Sequence, residues 1–84
     1  MLTLHIDRYV ALKRAMGFKY RIQNCLLHHF ARYAEKCGDT YVRSSTVLDW
    51  AGLAPSTLQK RNRLLTVRRF ALAMQAEREA EAAQ

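Results

Sequence analysis

Apolar residues recur along the chain at intervals of three and four positions, the spacing of one face of an α-helix. Residues 2–16 carry the first such stripe, and Gly17 follows where a left-handed C-terminal cap would lie. The stripe comprises Leu2, Ile6, Tyr9, Leu12 and Met16. The first segment is therefore predicted to be a helix that buries these five side chains.

A second helix is predicted over residues 21–37, with Gly38 ending it. Its predicted core stripe is Ile22, Leu26, His29, Phe30, Tyr33 and Cys37, with Cys25, Leu27 and Ala34 at the margins. The connection that follows, residues 38–45, is expected to be pinned to the core by Tyr41 and Val42.

Two capping boxes, in which a Ser or Thr precedes an acid or amide by three positions, predict two more helix starts. Thr46 to Asp49 would begin a short third helix that ends near Leu53 and turns Val47, Leu48 and Trp50 inward. Ser56 to Gln59, after the break at residues 52–55, would begin a fourth helix that runs past Met74.

These segments predict an all-α bundle of four helices, since no strand run or internal repeat is present. The length suits one small domain, which we place at residues 1–76. Residues 77–84 have strong helix formers but almost no apolar stripe, so they are predicted to be a solvated, fraying helical tail.

Charge is unevenly placed along a chain whose net charge is +7. Residues 1–21 hold five Lys and Arg against one acidic residue, whereas residues 22–53 hold three of each sign. Residues 54–75 hold five cations and no acid, and residues 76–84 have a net charge of −2. A basic balance of this kind favours a polyanionic partner, and the two basic segments could converge into one patch.

The two cysteines, Cys25 and Cys37, fall in one predicted helix about 18 Å apart, so they cannot pair within a monomer. We expect reduced core thiols in a cytoplasmic protein. The sequence has neither an apolar run of membrane-spanning length nor the apolar region of a signal peptide.

Neither a metal site nor a catalytic site is indicated. Cys25 and His29 are spaced for two ligands from one helical turn, but no second pair completes a zinc site. No nucleophile, base and orienting group form a recognisable set. We therefore expect no cofactor, no metal and no enzymatic activity from this chain alone.

The stretch from Ser56 to Phe70 has five cations, no acid, and apolar residues between the charges. Hydroxyls and Lys suit phosphate contacts, and Arg and Asn can reach base edges, so duplex DNA is the favoured partner. The alternative is an ordinary solvated helix face. On such a face, acidic residues four positions away would be expected to balance the cations, and this stretch has none. A membrane-surface helix is disfavoured because cations interrupt the apolar arc.

The run Arg63–Phe70 resembles the R-L-x-x-L-R-x-F pattern that closes the core-binding domain of tyrosine recombinases, the phage-type integrases. Tyr9–Phe18 is similar to the first helix and glycine turn of that domain. Leu26 or Leu27 with Phe30 matches its second helix, and Thr46–Trp50 its short third helix. The resemblance covers nearly the whole chain, although each motif is degenerate.

The resemblance implies a SAM-like bundle of four or five helices that clamps a recombination site in double-stranded DNA through its second and fourth helices. The matching positions are Lys19, Arg21, Gln23 and Asn24 at the start of helix two, and Ser56, Thr57, Lys60, Arg61 and Arg63 in helix four. Arg68 and Phe70 match the packing part of the pattern. Many members begin helix two with a Ser or Thr cap and a Tyr one turn later, whereas Lys19 and Gln23 stand at about those places here.

Recombinase chemistry resides in a separate C-terminal domain with an Arg, Lys, His and Arg set and a Tyr nucleophile. We therefore expect this chain to be an excised domain or a fragment, monomeric in isolation, that joins other recombinase protomers in the full-length protein. DNA integration or recombination would belong to the catalytic domain. A helical protein–protein interaction module and a small standalone DNA-binding regulator remain alternatives. Arg61 and Arg63 are both predicted to be surface residues whose loss leaves stability nearly unchanged.

Overall fold

The computed structural model describes residues 2–82, which form four α-helices and no strand. The helices are α1 Leu2–Ala15, α2 Arg21–Lys36, α3 Ser44–Gly52 and α4 Thr57–Ala82. Contacts join α2 to each of the other three helices, and α4 packs on all three that precede it. The all-α four-helix prediction is confirmed.

Helices α1 and α2 both end as the glycines predicted. Gly17 and Gly38 adopt positive φ angles of 100° and 81°, which cost a glycine little. In each case the residue after the glycine donates its backbone N–H five residues back: Phe18 to the Lys13 carbonyl, and Asp39 to the Ala34 carbonyl. These bonds satisfy carbonyls at the helix end that have no partner within the helix.

Helix α2 begins at a strained residue. Tyr20 has φ 56° and ψ 34°, a left-handed conformation that is uncommon for a residue with a side chain, and it makes no side-chain cap. Its hydroxyl donates a hydrogen bond to the Tyr9 hydroxyl at 3.0 Å, and the two rings meet edge to face. This contact ties the turn between α1 and α2 to the core.

Helix α3 begins two residues earlier than predicted, so the capping box at Thr46 is wrong. Ser44 is its first residue, and the N-cap position belongs to Arg43, which makes no side-chain cap. Thr46 is buried inside the helix, where its hydroxyl donates to the Asp39 carboxylate in the preceding connection. Thr46 therefore anchors that connection instead of starting the helix.

Helix α4 begins as predicted, because the Ser56 hydroxyl accepts the backbone N–H of Gln59 at 3.2 Å. It runs for 26 residues, well past Met74, to Ala82. At 1.5 Å per residue this is about 39 Å, close to the longest molecular dimension of 42 Å. Residues 75–82 are helical and exposed, and residues 83 and 84 of the predicted tail lie outside the described residues.

The buried core draws on all four helices and centres on aromatic side chains. Trp50, Phe30 and Phe70 are fully buried, and edge-to-face contacts join Trp50 to Phe30 and Tyr9 to Phe70. The buried apolar set is Leu2, Ile6, Tyr9, Val10, Leu27, Phe30, Ala31, Ala34, Trp50, Ala51, Val67 and Phe70.

Several predicted core positions are wrong, because the buried face of α2 is rotated from the predicted stripe and burial along α1 ends at Val10. In α1 the core turns to Val10, so Leu12 and Met16 are 56% and 62% exposed. In α2 the supposed margin residues Leu27 and Ala34 are buried with Phe30. The exposed positions of that stripe and its margin are Ile22, Cys25, His29 and Cys37. Leu48 of α3 and Tyr41 of the connection are also exposed, whereas Val42 packs against the core.

Candidate nucleic-acid interface

The first turns of α4 stand clear of the bundle. Every residue from Ser56 to Asn62 is exposed, including Leu58 at 68%. Four predicted contact residues lie in this segment: Ser56, Thr57, Lys60 and Arg61. Because α4 does not pack closely until Arg63, its N-terminal end is free to enter a groove from outside the domain.

Arg63 is the exception among the predicted contacts, since it packs against α3. Its guanidinium lies 4.9 Å from the centre of the Trp50 ring and donates to the Trp50 carbonyl at 3.1 Å. The carbonyl belongs to the C-terminal end of α3, where a cation is favoured by the helix dipole. Arg63 therefore fastens α4 to α3 and is half-buried, so its prediction as a free surface residue is wrong, whereas its contact with DNA stays a prediction.

Arg68, predicted to serve packing, is exposed instead. It lies seven residues beyond Arg61, two turns along α4 on the same face, whereas Thr66, Val67 and Phe70 turn to the core. The prediction for Phe70 is confirmed by its complete burial. Arg61 and Arg68 thus form an exposed basic face, with Arg69 beside it, that we call the outer face of α4.

These cations have few internal partners. All fourteen Lys and Arg residues fall within residues 2–82, and only Arg43 forms a salt bridge with a described carboxylate, that of Asp39. The other close acid–base pair joins Asp7 to His28. The charge on α4 is consequently available to an external anion.

The second predicted cluster, at the start of α2, borders an open groove of about 700 Å³ beside the turn between α1 and α2. Six residues that line it are Lys13, Phe18, Lys19, Gln23, Arg69 and Leu72. Tyr9 and Tyr20 also contribute to its wall. We call this feature the α1–α2 groove; it joins three cations from separate parts of the chain to an exposed aromatic ring.

The four residues predicted at the start of α2 differ in how far they are exposed. Lys19 is exposed and Gln23 half-buried at the groove, while Arg21 is exposed in the first turn of the helix. Asn24 is half-buried, and its backbone carbonyl accepts a hydrogen bond from His28. The cluster is therefore partly accessible, with Lys19 and Arg21 its most exposed members.

The two clusters do not meet at one point. The start of α2 lies beside Arg69, which is about 20 Å along the helix axis from the cap residue Ser56. The two basic segments therefore occupy separate parts of the length of α4 instead of forming one compact patch of helix ends.

The Tyr20 hydroxyl lies between the core and this groove. Burial raises the pKa of Tyr20 above its ordinary value, and the hydrogen bond and charge of Tyr9 raise it further. The charge of Arg69 opposes this rise more weakly, which agrees with its position beside Tyr20 in the groove wall. The neutral hydroxyl is thus the form that holds the turn.

The cysteines are exposed thiols, so their prediction as core residues is wrong. His29, one turn from Cys25, accepts a hydrogen bond from the Trp50 indole N–H at 3.1 Å. Across residues 2–82, no three His, Cys, Asp or Glu side chains lie together as a metal ion would require. Nor does any helix of this part of the chain have the length and apolar character needed to cross a membrane.

Comparison of the chain with known protein families, with characterised proteins and with solved structures found no match. The functional inference therefore relies on the chemistry of the outer face of α4 and of the α1–α2 groove.

Proposed function

We propose that this chain is a duplex-DNA-binding module whose main contact surface is the N-terminal end and outer face of α4. The observation that carries the proposal is the exposure of every residue from Ser56 to Asn62 on a helix rich in cations and hydroxyls. An α-helix fits the major groove of B-DNA, which is about 12 Å wide. Such an end can enter it without displacing any part of the bundle.

Each group has a role that follows from its chemistry. Ser56, Thr57 and Lys60 suit phosphate oxygens near the helix N-terminus, where unpaired backbone N–H groups and the helix dipole also favour an anion. Arg61 and Asn62 carry the paired donors and acceptors that read base edges. Arg68 lies on the same face of α4 as Arg61 and extends the positive surface along the helix.

The start of α2 supplies a second contact with the DNA backbone. Lys19 and Arg21 are exposed there, about 20 Å along α4 from its cap, a length equal to about six base-pair steps. With about six phosphate contacts in total, the logarithm of the binding constant should fall with the logarithm of salt concentration at a slope near −5.

The resemblance of the sequence to tyrosine recombinases extends this proposal. In that role the module would hold one side of a recombination site while a separate catalytic domain cleaves and exchanges the strands. The four helices in their observed order are compatible with such a bundle. The chain itself binds and performs no chemistry in this proposal.

Exposed apolar side chains favour protein contact as the second candidate function. Ile22, Leu53 and Leu58 are each at least 66% exposed and so are available to a partner protein. In a recombinase these positions would meet neighbouring protomers.

Titration with duplex DNA tests the proposal and separates it from protein contact. Fluorescence anisotropy of a labelled duplex of about 16 base pairs should show binding at low salt that weakens with the predicted slope. Poly-glutamate of equal charge is the control for non-specific attraction to anions. Binding of poly-glutamate as tight as that of the duplex would sink the proposal in favour of an acidic protein partner.

A further inference from the structure

The α1–α2 groove has a chemistry that duplex binding does not use. Phe18, at its edge, is 54% exposed although it follows a helix cap where an apolar residue normally packs down. One side of its ring meets the Lys13 ammonium, 5.7 Å from the ring centre. The bond from the Phe18 N–H to the Lys13 carbonyl at the end of α1 places Phe18 next to Lys13, but more than half of the Phe18 side chain stays exposed.

Three cations from separate parts of the sequence line the same groove as this ring. Lys13 comes from α1, Lys19 from the turn and Arg69 from α4, and none of the three forms a salt bridge with a described carboxylate. The groove volume of about 700 Å³ falls in the range of small-molecule sites. An aromatic face beside several cations matches the two halves of a nucleotide, a base that stacks and a phosphate that pairs.

The turn that presents Phe18 and Lys19 is held rigidly. Gly17 supplies the positive φ before it, and Tyr20 after it is fixed in the left-handed conformation by its bond to Tyr9. Strained backbone persists where the surroundings over-determine it, as at ligand-binding turns. The backbone that carries Phe18 and Lys19 is therefore fixed in its conformation at both ends of the turn.

We propose that the α1–α2 groove binds an unpaired nucleotide, with the base stacked on Phe18 and the phosphate held by Lys19 and Arg69. A base within an intact duplex is already stacked on both faces, so the ring can receive only a base that is single-stranded or extruded. The inference rests on the proposed function in taking nucleic acid as the ligand, and it shares Lys19 with the duplex contact at the start of α2. It concerns a different strand state and adds the Phe18 ring, to which the duplex proposal gives no role.

The test compares two labelled single strands of 12 nucleotides, one of thymidine and one of abasic sugar-phosphate, by fluorescence anisotropy. The wild-type chain should bind the thymidine strand about tenfold more tightly, since the abasic strand has no base to stack on Phe18. Phe18→Ala should abolish this preference while changing abasic affinity less than twofold. Equal affinity of the wild type for both strands would overturn the inference.

Two further variants guard against a fold defect. Phe18→Trp should keep the preference, and its exposed indole should be quenched by the thymidine strand. Leu53→Ala, at an apolar site outside the groove that is more exposed than Phe18, should bind as the wild type does. A loss of preference in Leu53→Ala equal to that in Phe18→Ala would count against a stacking role.

Perfect duplex binding is measured in parallel so that the two proposals fail separately. Phe18→Ala should change duplex affinity less than twofold, and an equal loss for duplex and single strand would overturn the groove assignment. If the wild type discriminates thymidine from abasic strands yet binds no duplex, the α4 proposal fails and the groove inference stands.

Discussion

The contact between Arg63 and Trp50 gives the sharpest stability prediction. Arg63→Ala removes a guanidinium 4.9 Å from the indole ring centre and its hydrogen bond to the Trp50 carbonyl. A half-buried cation–π contact contributes about 1 kcal/mol. The hydrogen bond adds about 1 kcal/mol, less than is usual for a charged donor, because the Trp50 carbonyl still accepts the Leu53 N–H after truncation.

The sum of about 2 kcal/mol should lower the free energy of unfolding by that amount and the midpoint temperature by about 10 °C for a domain of this size. Urea and thermal denaturation followed by far-UV circular dichroism measure both quantities. Arg63→Lys keeps the charge but not the planar stacking, so its loss should be intermediate.

Arg61→Ala is the matched control, two residues away on the same helix and exposed. It should cost less than about 0.5 kcal/mol, as surface substitutions usually do. Equal destabilisation by Arg61→Ala and Arg63→Ala would refute the packing role of Arg63, and both residues would then count as surface residues.

Three more predictions follow from particular contacts. Lys60→Ala with Arg68→Ala should make the salt dependence of duplex binding shallower by about 2 in slope, and an unchanged slope would remove the start and outer face of α4 from the interface. Folding raises the pKa of Tyr20, so its neutral form stabilises the fold; this contribution is complete below about pH 10, the unfolded pKa, and is lost as pH rises toward the folded pKa. Alkaline denaturation should therefore show a fall in stability that Tyr20→Phe reduces. Identical stability profiles against pH for the wild type and Tyr20→Phe would contradict the Tyr9 contact. Gly17→Ala should cost about 1 kcal/mol or more from its positive φ alone, since open space surrounds the site, whereas Gly52→Ala inside α3 should be neutral or stabilising; equal urea midpoints for these two variants would deny the strain.

Local signals in the sequence determined the helices well. The positive-φ glycines and the Ser56 cap set three helix ends through interactions that span only a few residues. Such contacts can be read without knowing the tertiary fold. The same reasoning misplaced Thr46, because its hydroxyl pairs with Asp39 in a connection that no local pattern describes.

The side of each helix that is buried was harder to predict, since it depends on where the neighbours lie. Ala31 and Ala34 are buried in α2, and small residues give a weak periodic signal although they permit close packing. Past Val10, α1 contributes no further buried residue, so Leu12 and Met16 remain exposed despite perfect helical spacing.

The sequence does contain a signal that Arg63 packs against the bundle and that Arg68 is exposed, the reverse of what was predicted. Arg63, Val67 and Phe70 follow four- and three-residue spacing, which puts the arginine on the buried face of α4, and Arg68 falls off that face. The α1–α2 groove had none, because its cations come from α1, the turn and α4, and only the fold brings Arg69 beside Lys19.

The central claim is that the start and outer face of α4 bind duplex DNA. It is tested most directly by adding a duplex of about 16 base pairs to isotope-labelled protein at low salt and following backbone amide shifts. The predicted result is perturbation of Thr57–Asn62 and of Lys19–Arg21 that disappears as salt is raised. Amides that stay still in both segments at low salt, while another surface responds or none does, would contradict it.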